Sequence, residues 1–259
     1  MNDSVRTDTV RTDTVGSVLV VTIDRPRARN AVNAEVAHGI AAAVDRLESD
    51  PGLRLGILTG AGGTFCAGMD LKAAARGEQV TVPGKGFAGL VEARTAKPLI
   101  AAVEGHALGG GFELALACDL VIAAEGARFA LPEVKRGLIA GGGGVVRLPR
   151  RVPHHLAMEL LLTGRAITAG RARELGLVNR LTPDGQALPA ALELAEEIAA
   201  NAPLALAAVK RTVRRADGVP EPEAFAAQTA EIGTLLRSAD FAEGVRAFAE
   251  KRAPRWSGR

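Results

Sequence analysis

The sequence predicts an α/β fold, a core of repeated strand–turn–helix units followed by a helical C-terminal segment. Three observations predict it. Short β-branched apolar runs such as Ser17 to Ile23 (SVLVVTI) alternate with helix-like stretches through most of the chain. Two of those runs lead into glycine-rich turns, TGAGGTFCAGMDL at 59–71 and GHALGGGFELALACD at 105–119. From Pro189 onward only helical patterning remains.

Taken in order, residues 5–14 carry VRTDT twice, a tandem repeat that either extends the first strand or trails as a mobile terminus, with residues 1–10 expected to trail. Asp24, Arg25 and Pro26 stop the Ser17 to Ile23 strand, and Asn33 is placed to cap a helix running through Leu47. Leu53 to Thr59 reads as a second buried strand, broken by glycines at 60, 62 and 63 before Phe65 to Leu71. Lys72 to Lys97 is glycine-punctuated and weakly periodic, a candidate mobile flap. Leu99 to Val103 is a third strand, Gly110 to Cys118 a helix and Leu120 to Ala123 a fourth strand. The terminal helices are expected over Ala190 to Ala200, Leu204 to Arg215, Pro222 to Leu236 and Ala239 to Arg252. Residues 1–189 therefore read as the α/β core and 190–259 as a helical region whose apolar faces suit a partner subunit.

Composition sets limits on function. Of the 259 residues, 47% are apolar and 24% charged, ordinary for a globular protein, while 3% aromatic content points to a core of Ala, Leu and Val. A formal charge of +3 is too small to imply nucleic-acid binding and suits an anionic ligand equally well. The densest basic group, Arg147, Arg150 and Arg151 around Pro149, reads as a solvated face rather than a phosphate site. Cys66 and Cys118 lack metal or dithiol spacing and read as buried and reduced; the four histidines are scattered and take no chemistry. The N-terminus does not have the form of a secretory signal, so a cytoplasmic protein is expected. The most apolar stretch, Leu99 to Ala124, is interrupted by Glu104, Glu113 and Asp119, so no membrane association is expected.

Chemistry concentrates at the glycine turns. A glycine-opened helix presents unpaired N–H groups and the positive end of its dipole, which suits a developing oxyanion, a phosphate or merely tight packing. The missing GK[ST] ending argues against a phosphate cradle. Glu113, three residues after Gly110, would point near whatever those amides bind, and Glu133 follows Pro132 in FALPEVKRG. Two acids sharing one site raise one another's pKa, as acid–base work near neutrality needs; two exposed ion-pair formers are the plain alternative.

The segments DRPRARNAVN (24–33), FCAGMDL (65–71), HALGGGFELALACDL (106–120), FALPEVKRGLIAGGGG (129–144), TGRAITAGRARELGLVNRL (163–181) and VRAFAEKRAPRW (245–256) together resemble the crotonase (enoyl-CoA hydratase/isomerase) superfamily. The resemblance implies a spiral of repeated ββα units with C-terminal helices that form a trimer or a dimer of trimers. It implies that the amides of Met69 and Gly110 hold a thioester oxygen. Arg27, Ala28, Ala67, Gly68, Asp70 and Leu71 would surround coenzyme A, Gly141 would line the water side, and Phe248 and Lys251 would approach the nucleotide from the C-terminal helices. Glu113 would activate water for attack on C3 and Glu133 would protonate C2. Ala140 stands where many hydratases carry proline, and GGGG at 141–144 is looser than their GxGG, which leaves the acyl pocket open. No dinucleotide, metal or pyridoxal motif is present, so coenzyme A is expected only as part of an acyl-CoA substrate. The reaction expected is enoyl-CoA hydration. A carnitinyl-CoA-type dehydratase, an isomerase, a non-catalytic acyl-CoA binder and an RNA-binding relative are the other readings.

Overall fold

The computed structural model describes residues 8–259 and the backbone of Val5 and Arg6. β1 (Val5–Arg6), β2 (Val10–Val15) and β3 (Val18–Ile23) are followed by α1 (Ala34–Ser49), β4 (Leu55–Gly60), α2 (Leu71–Ala75), β5 (Thr81–Val82), β6 (Gly86–Phe87) and β7 (Leu99–Val103). Next come β8 (His106–Leu108), α3 (Gly110–Ala117), β9 (Leu120–Ala124), β10 (Arg128–Ala130), α4 (Gly144–Arg147), α5 (His154–Thr163), β11 (Ile167–Thr168), α6 (Ala169–Glu174) and β12 (Arg180–Thr182). The chain ends with α7 (Ala187–Ala199), α8 (Pro203–Ala216), α9 (Glu221–Leu235) and α10 (Ala239–Ala249).

One sheet runs in the order β1-β2-β3-β4-β7-β9-β12, antiparallel up to β3 and parallel from there on. A second, smaller layer has the order β11-β10-β8, and Cys66 joins it through a bridge to Ala107. Each unit repeats one step: a strand of the large sheet, a short extended piece in the second layer, then a helix. The second pieces are Val32, which bridges Met69, then Cys66, β8 and β10.

Residue choice explains the layering. β3 and β7 are buried along their whole length, as near-continuous apolar strands covered on both faces should be. On one face α1 lays down Val36, Ile40, Val44 and Leu47 as a single stripe, its start fixed by the Asn33 side chain accepting the Val36 N–H at 3.0 Å. On the other, Ala187, Ala190, Ala191 and Ala195 of α7 let that helix settle against Val18, Val20, Leu55, Ile57 and Ile100. The expected division at residue 189 thus falls inside a helix that closes the sheet.

Two other segments differ from expectation. Val5 and Arg6 pair with Thr12 and Arg11, and Thr9 and Val10 are buried, so the two copies of the repeat lie against each other as strands. The mobile terminus expected at residues 1–4 and 7 lies outside the described residues. The candidate flap is packed into the core through Val80, Ala88, Leu90 and Val91, and Lys85 Nζ donates to the Ala41 carbonyl at 2.9 Å. Cys66 and Cys118 are free and buried, their thiols pushed up to about 12 by burial.

The last helices leave the core. α8 is tied back by Lys210, whose ammonium donates to Thr95 Oγ1 at 2.8 Å, the Lys97 carbonyl at 2.8 Å and Asp119 Oδ2 at 2.5 Å. α9 buries none of its residues and leaves Phe225 and Ile232 exposed; α10 buries Asp240 and Ala247 but leaves Phe241, Val245 and Phe248 exposed. Among the described residues no helix is long and apolar enough to cross a membrane.

Candidate active site

Two loops meet at the start of α3. Gly68 adopts φ +92, and a Cβ there would lie 2.7 Å from the Leu108 carbonyl oxygen and 3.1 Å from the Gly110 nitrogen, so only glycine lets the loops approach this closely. The bridge to Val32 uses the Gly68 carbonyl and the Asp70 N–H, each at 2.8 Å, which turns the intervening Met69 N–H to the opposite side. Gly110, first in its helix, has no carbonyl one turn behind it. Among the described residues neither the Met69 N–H nor the Gly110 N–H has a protein acceptor. Two unpaired donors therefore sit side by side at a helix N-terminus, an arrangement suited to an anionic oxygen.

Two carboxyl groups flank these donors. Glu113 projects from the first turn of α3 and is 4% exposed. Its Oε1 accepts the Gly144 N–H at 2.8 Å, and the Gly142 N–H faces the same carboxylate. Burial pushes Glu113 up to about 7; the Gly144 and Gly142 amides and Arg147 oppose this, while the charge of Glu133 adds to it. Glu133 opens a 3-10 turn after β10, and its Oε1 would lie 2.9 Å from a Cβ on Gly109, whose own φ is +54. Its Oε2 is buried and has no hydrogen-bond partner among the described residues. Burial raises Glu133 as well, against its own backbone N–H and Arg136.

The two acids are therefore held differently. Glu113 accepts the Gly144 N–H and faces the Gly142 N–H, which favour its anion, whereas the bare Oε2 of Glu133 favours carrying a proton. A carboxyl suited to ionise, one suited to hold a proton and two unpaired backbone donors make a site able to add or remove a proton and a hydroxyl on neighbouring carbons of an activated carbonyl compound.

The chain can now be set against known proteins. The enoyl-CoA hydratase/isomerase family model matches residues 13–259. The chain belongs to that family. It is 49% identical over 256 residues to enoyl-CoA hydratase EchA19 of Mycobacterium tuberculosis, covering 94% of each protein. It is 45% identical over 252 residues to the carnitinyl-CoA dehydratase of Proteus mirabilis, covering 94% of this chain and 96% of that one. The crystal structure of an enoyl-CoA hydratase from Mycobacterium tuberculosis H37Rv matches with a TM-score of 0.94 at 55% identity, over 96% of this chain and 99% of that chain. The crotonase fold expected from the sequence resemblance is the fold of the molecule, with its repeated ββα units and C-terminal helices.

Within this member of the enoyl-CoA hydratase/isomerase family, the other residues singled out from sequence do not all gather at one place. Arg27 is exposed and Ala28 half-buried in a 3-10 turn at 26–28, beside the 67–71 loop through the Ala67 N–H donating to the Arg29 carbonyl at 3.0 Å. Leu71 is exposed. Asp70 has its carboxylate engaged by the fold: it accepts the Lys72 and Ala73 N–H groups at 3.1 Å and pairs with Arg25 at 3.1 Å. Gly141 is exposed, and it is Gly142 and Gly144 that face Glu113. Phe248 lies on the wall of an apolar cavity of about 520 Å³ together with Leu235, Phe241, Val245 and Trp256, none of them part of the carboxylate cluster. Lys251 follows, with its N–H donating to the Phe248 carbonyl at 3.2 Å.

Sequence reading missed three contributors. Asn30, fully buried with φ 56, binds the Arg25 N–H at 2.9 Å and the Ala61 and Thr64 carbonyls at 2.9 and 2.6 Å, fastening the 24–33 loop to the glycine turn. Asparagine's tolerance of the left-handed region is the signal that could have found it. Phe87 of β6 packs its ring on Gly110, and Arg147, read as a solvated charge, is half-buried beneath the turn that holds Glu113.

Proposed function

We propose that the protein is an enoyl-CoA hydratase that adds water reversibly across the 2,3 double bond of trans-2-enoyl-CoA thioesters. The observation that carries this reading is the pair of buried carboxyl groups placed beside two unpaired backbone donors. Glu113 takes a proton from water as its oxygen bonds to C3. The C2–C3 π electrons move toward the thioester, whose oxygen becomes an enolate held by the Met69 and Gly110 N–H groups. As the enolate collapses, C2 takes the proton of Glu133. Water is consumed, and one proton passes from Glu113 back to Glu133 through solvent. No further cofactor enters this scheme, coenzyme A being the handle of the substrate. An isomerase needs only one acid, so the buried, amide-gripped Glu113 favours hydration.

The loop that carries Glu113's donors shows Leu138, Ile139, Val145 and Val146 at its surface. Such side chains suit a hydrocarbon acyl group better than a trimethylammonium end, which calls for aromatic faces or carboxylates. Hydration rates measured across straight-chain trans-2-enoyl-CoA thioesters, with crotonobetainyl-CoA beside them, test the proposal. Binding of all of them without turnover would sink it, and turnover of crotonobetainyl-CoA alone would replace it by the dehydratase reading.

The pH dependence follows from the pair. Hydration needs Glu113 ionised to take a proton from water and Glu133 protonated to give one, and burial pushes Glu113 up to about 7 in the free protein. kcat/KM is therefore expected to fall as pH drops below about 7, where Glu113 takes up a proton, and to fall again at higher pH as the raised Glu133 ionises. A profile flat on both sides of pH 7 on a short enoyl-CoA would contradict the assignment.

We also infer assembly into a trimer or a dimer of trimers. The exposed apolar side chains of α9 and α10 and the cavity beside Phe248 support it, since a face of this kind is seldom left to water. Light scattering is expected to give a mass that is a multiple of three chains; a stable monomer at micromolar concentration would contradict it.

A further inference from the structure

Arg147 is the last residue of α4, and its guanidinium has two arms engaged. Nη2 donates to the Val91 carbonyl in the 72–97 segment, and Nη1 donates to the Gly142 carbonyl over a long 3.4 Å. The group lies so close to Gly143 that a Cβ there would strike Nη1. Gly142 thus turns its N–H toward Glu113 and its carbonyl to Arg147. The turn that grips the buried carboxylate is itself gripped from behind.

The charges around this pair are mixed. Glu113 faces the Gly144 and Gly142 amides, Glu133 from the 3-10 turn and Arg147 from α4. Arg147 faces Glu113, Arg214 of α8, Cys118 beyond α3 and Glu92 of the flap, and Arg151 lies near it. Holding a half-buried guanidinium near two other arginines is unfavourable unless something local compensates. The two carbonyls and the nearby carboxylates are that compensation.

We propose that Arg147 is a positioning residue for Glu113: it clamps the 142–144 turn to the 72–97 segment, keeps the Gly144 N–H on the carboxylate and sets a positive charge opposite it. A fixed cation near a carboxylate favours the ionised form, and a braced turn keeps the base where water must stand. Arg147 touches no reacting atom. The inference rests on the hydratase reading for what Glu113 does, though not for how readily Glu113 ionises.

The experiment separates the two. In protein labelled with carbon-13 glutamate, the Glu113 carboxyl signal, identified by its loss in Glu113→Gln, is titrated in the wild type, Arg147→Met and Arg147→Lys. kcat and KM on crotonyl-CoA are followed over the same pH range. Arg147→Met is expected to leave an ionised-to-protonated ratio for Glu113 about tenfold smaller at pH 7, with kcat reduced to match and KM nearly constant. Arg147→Lys keeps the charge and restores that ratio, yet it replaces two spaced guanidinium nitrogens by one, which weakens the brace on the 142–144 turn, so kcat stays below wild type. A folded Arg147→Met protein whose Glu113 titrates as in the wild type overturns the proposal. If Arg147→Met does not fold, Arg147→Lys with wild-type kcat overturns it instead. The titration needs no turnover, so a wild-type protein that hydrates nothing would remove the hydratase reading and leave the Arg147 result legible.

Discussion

Glu113→Gln and Glu133→Gln are each expected to lower kcat for enoyl-CoA hydration by ~10²–10⁴-fold, the usual contribution of a positioned acid or base. Thioester affinity should change little, because the Met69 and Gly110 amides and the loops around them are untouched. Glutamine at 113 can still accept the Gly144 N–H, so the 142–144 turn has no cause to move. Glutamine at 133 loses the proton that the partnerless Oε2 is suited to carry. The double variant should be scarcely worse than either single one, since both groups serve one addition. Steady-state hydration of crotonyl-CoA and a longer enoyl-CoA, with binding measured in the same buffer, checks all of this. An isomerase would separate the two: Glu133→Gln would be inactive on a 3-enoyl-CoA while Glu113→Gln stayed competent.

Removal of a backbone donor should be as damaging. Gly110→Pro deletes the N–H that the site offers to the thioester oxygen, and loss of one such donor typically costs ~10²–10³-fold in kcat. The Phe87 ring against Gly110 complicates the plain substitution, because any Cβ at 110 meets that ring. The informative comparison is made in a Phe87→Ala background, where Gly110→Ala keeps the donor and Gly110→Pro removes it. The alanine protein is expected to be active and the proline protein to have lost at least ~10²-fold, with circular dichroism showing both folded. Met69→Ala, which changes only a side chain, should retain much of the activity. Equal activity of the alanine and proline proteins would place the oxyanion site elsewhere.

The strands that build the large sheet were legible because each is a run of apolar residues long enough to stand out: β3, β4, β7 and β9 differ from expectation by no more than two residues at either end. Asn33 was legible as a cap because its side chain acts on its own chain three residues on. The second layer was not. β8 and β10 have three residues each, too few for any alternation to show, and Cys66 enters the layer by a single bridge. The same limit applies within the site. Glu113 and Glu133 could be singled out from their neighbours, but which of four consecutive glycines donates to Glu113 depends on how the turn is wound, and the structure gives that to Gly144. Arg147, Arg150 and Arg151 looked alike as a basic group. In the fold Arg150 pairs with Asp217 at 2.6 Å on the surface, while Arg147 turns inward to two carbonyls. Charge is written in the sequence; the partner that decides its meaning comes from a distant segment.

The two unpaired amides also give the protein a built-in reporter. In heavy water, the N–H groups of Cys66 and Asp70, which are bonded to His106 and Val32, must wait for the backbone to open before deuterium replaces hydrogen. The Met69 and Gly110 amides, next to them in the chain or across the loop, have no hydrogen bond to break. They should exchange as isolated fast points within a slow neighbourhood, and a docked thioester should slow both together. Isotope exchange at two peptide groups would then register occupancy of the site even in variants that have lost every trace of turnover.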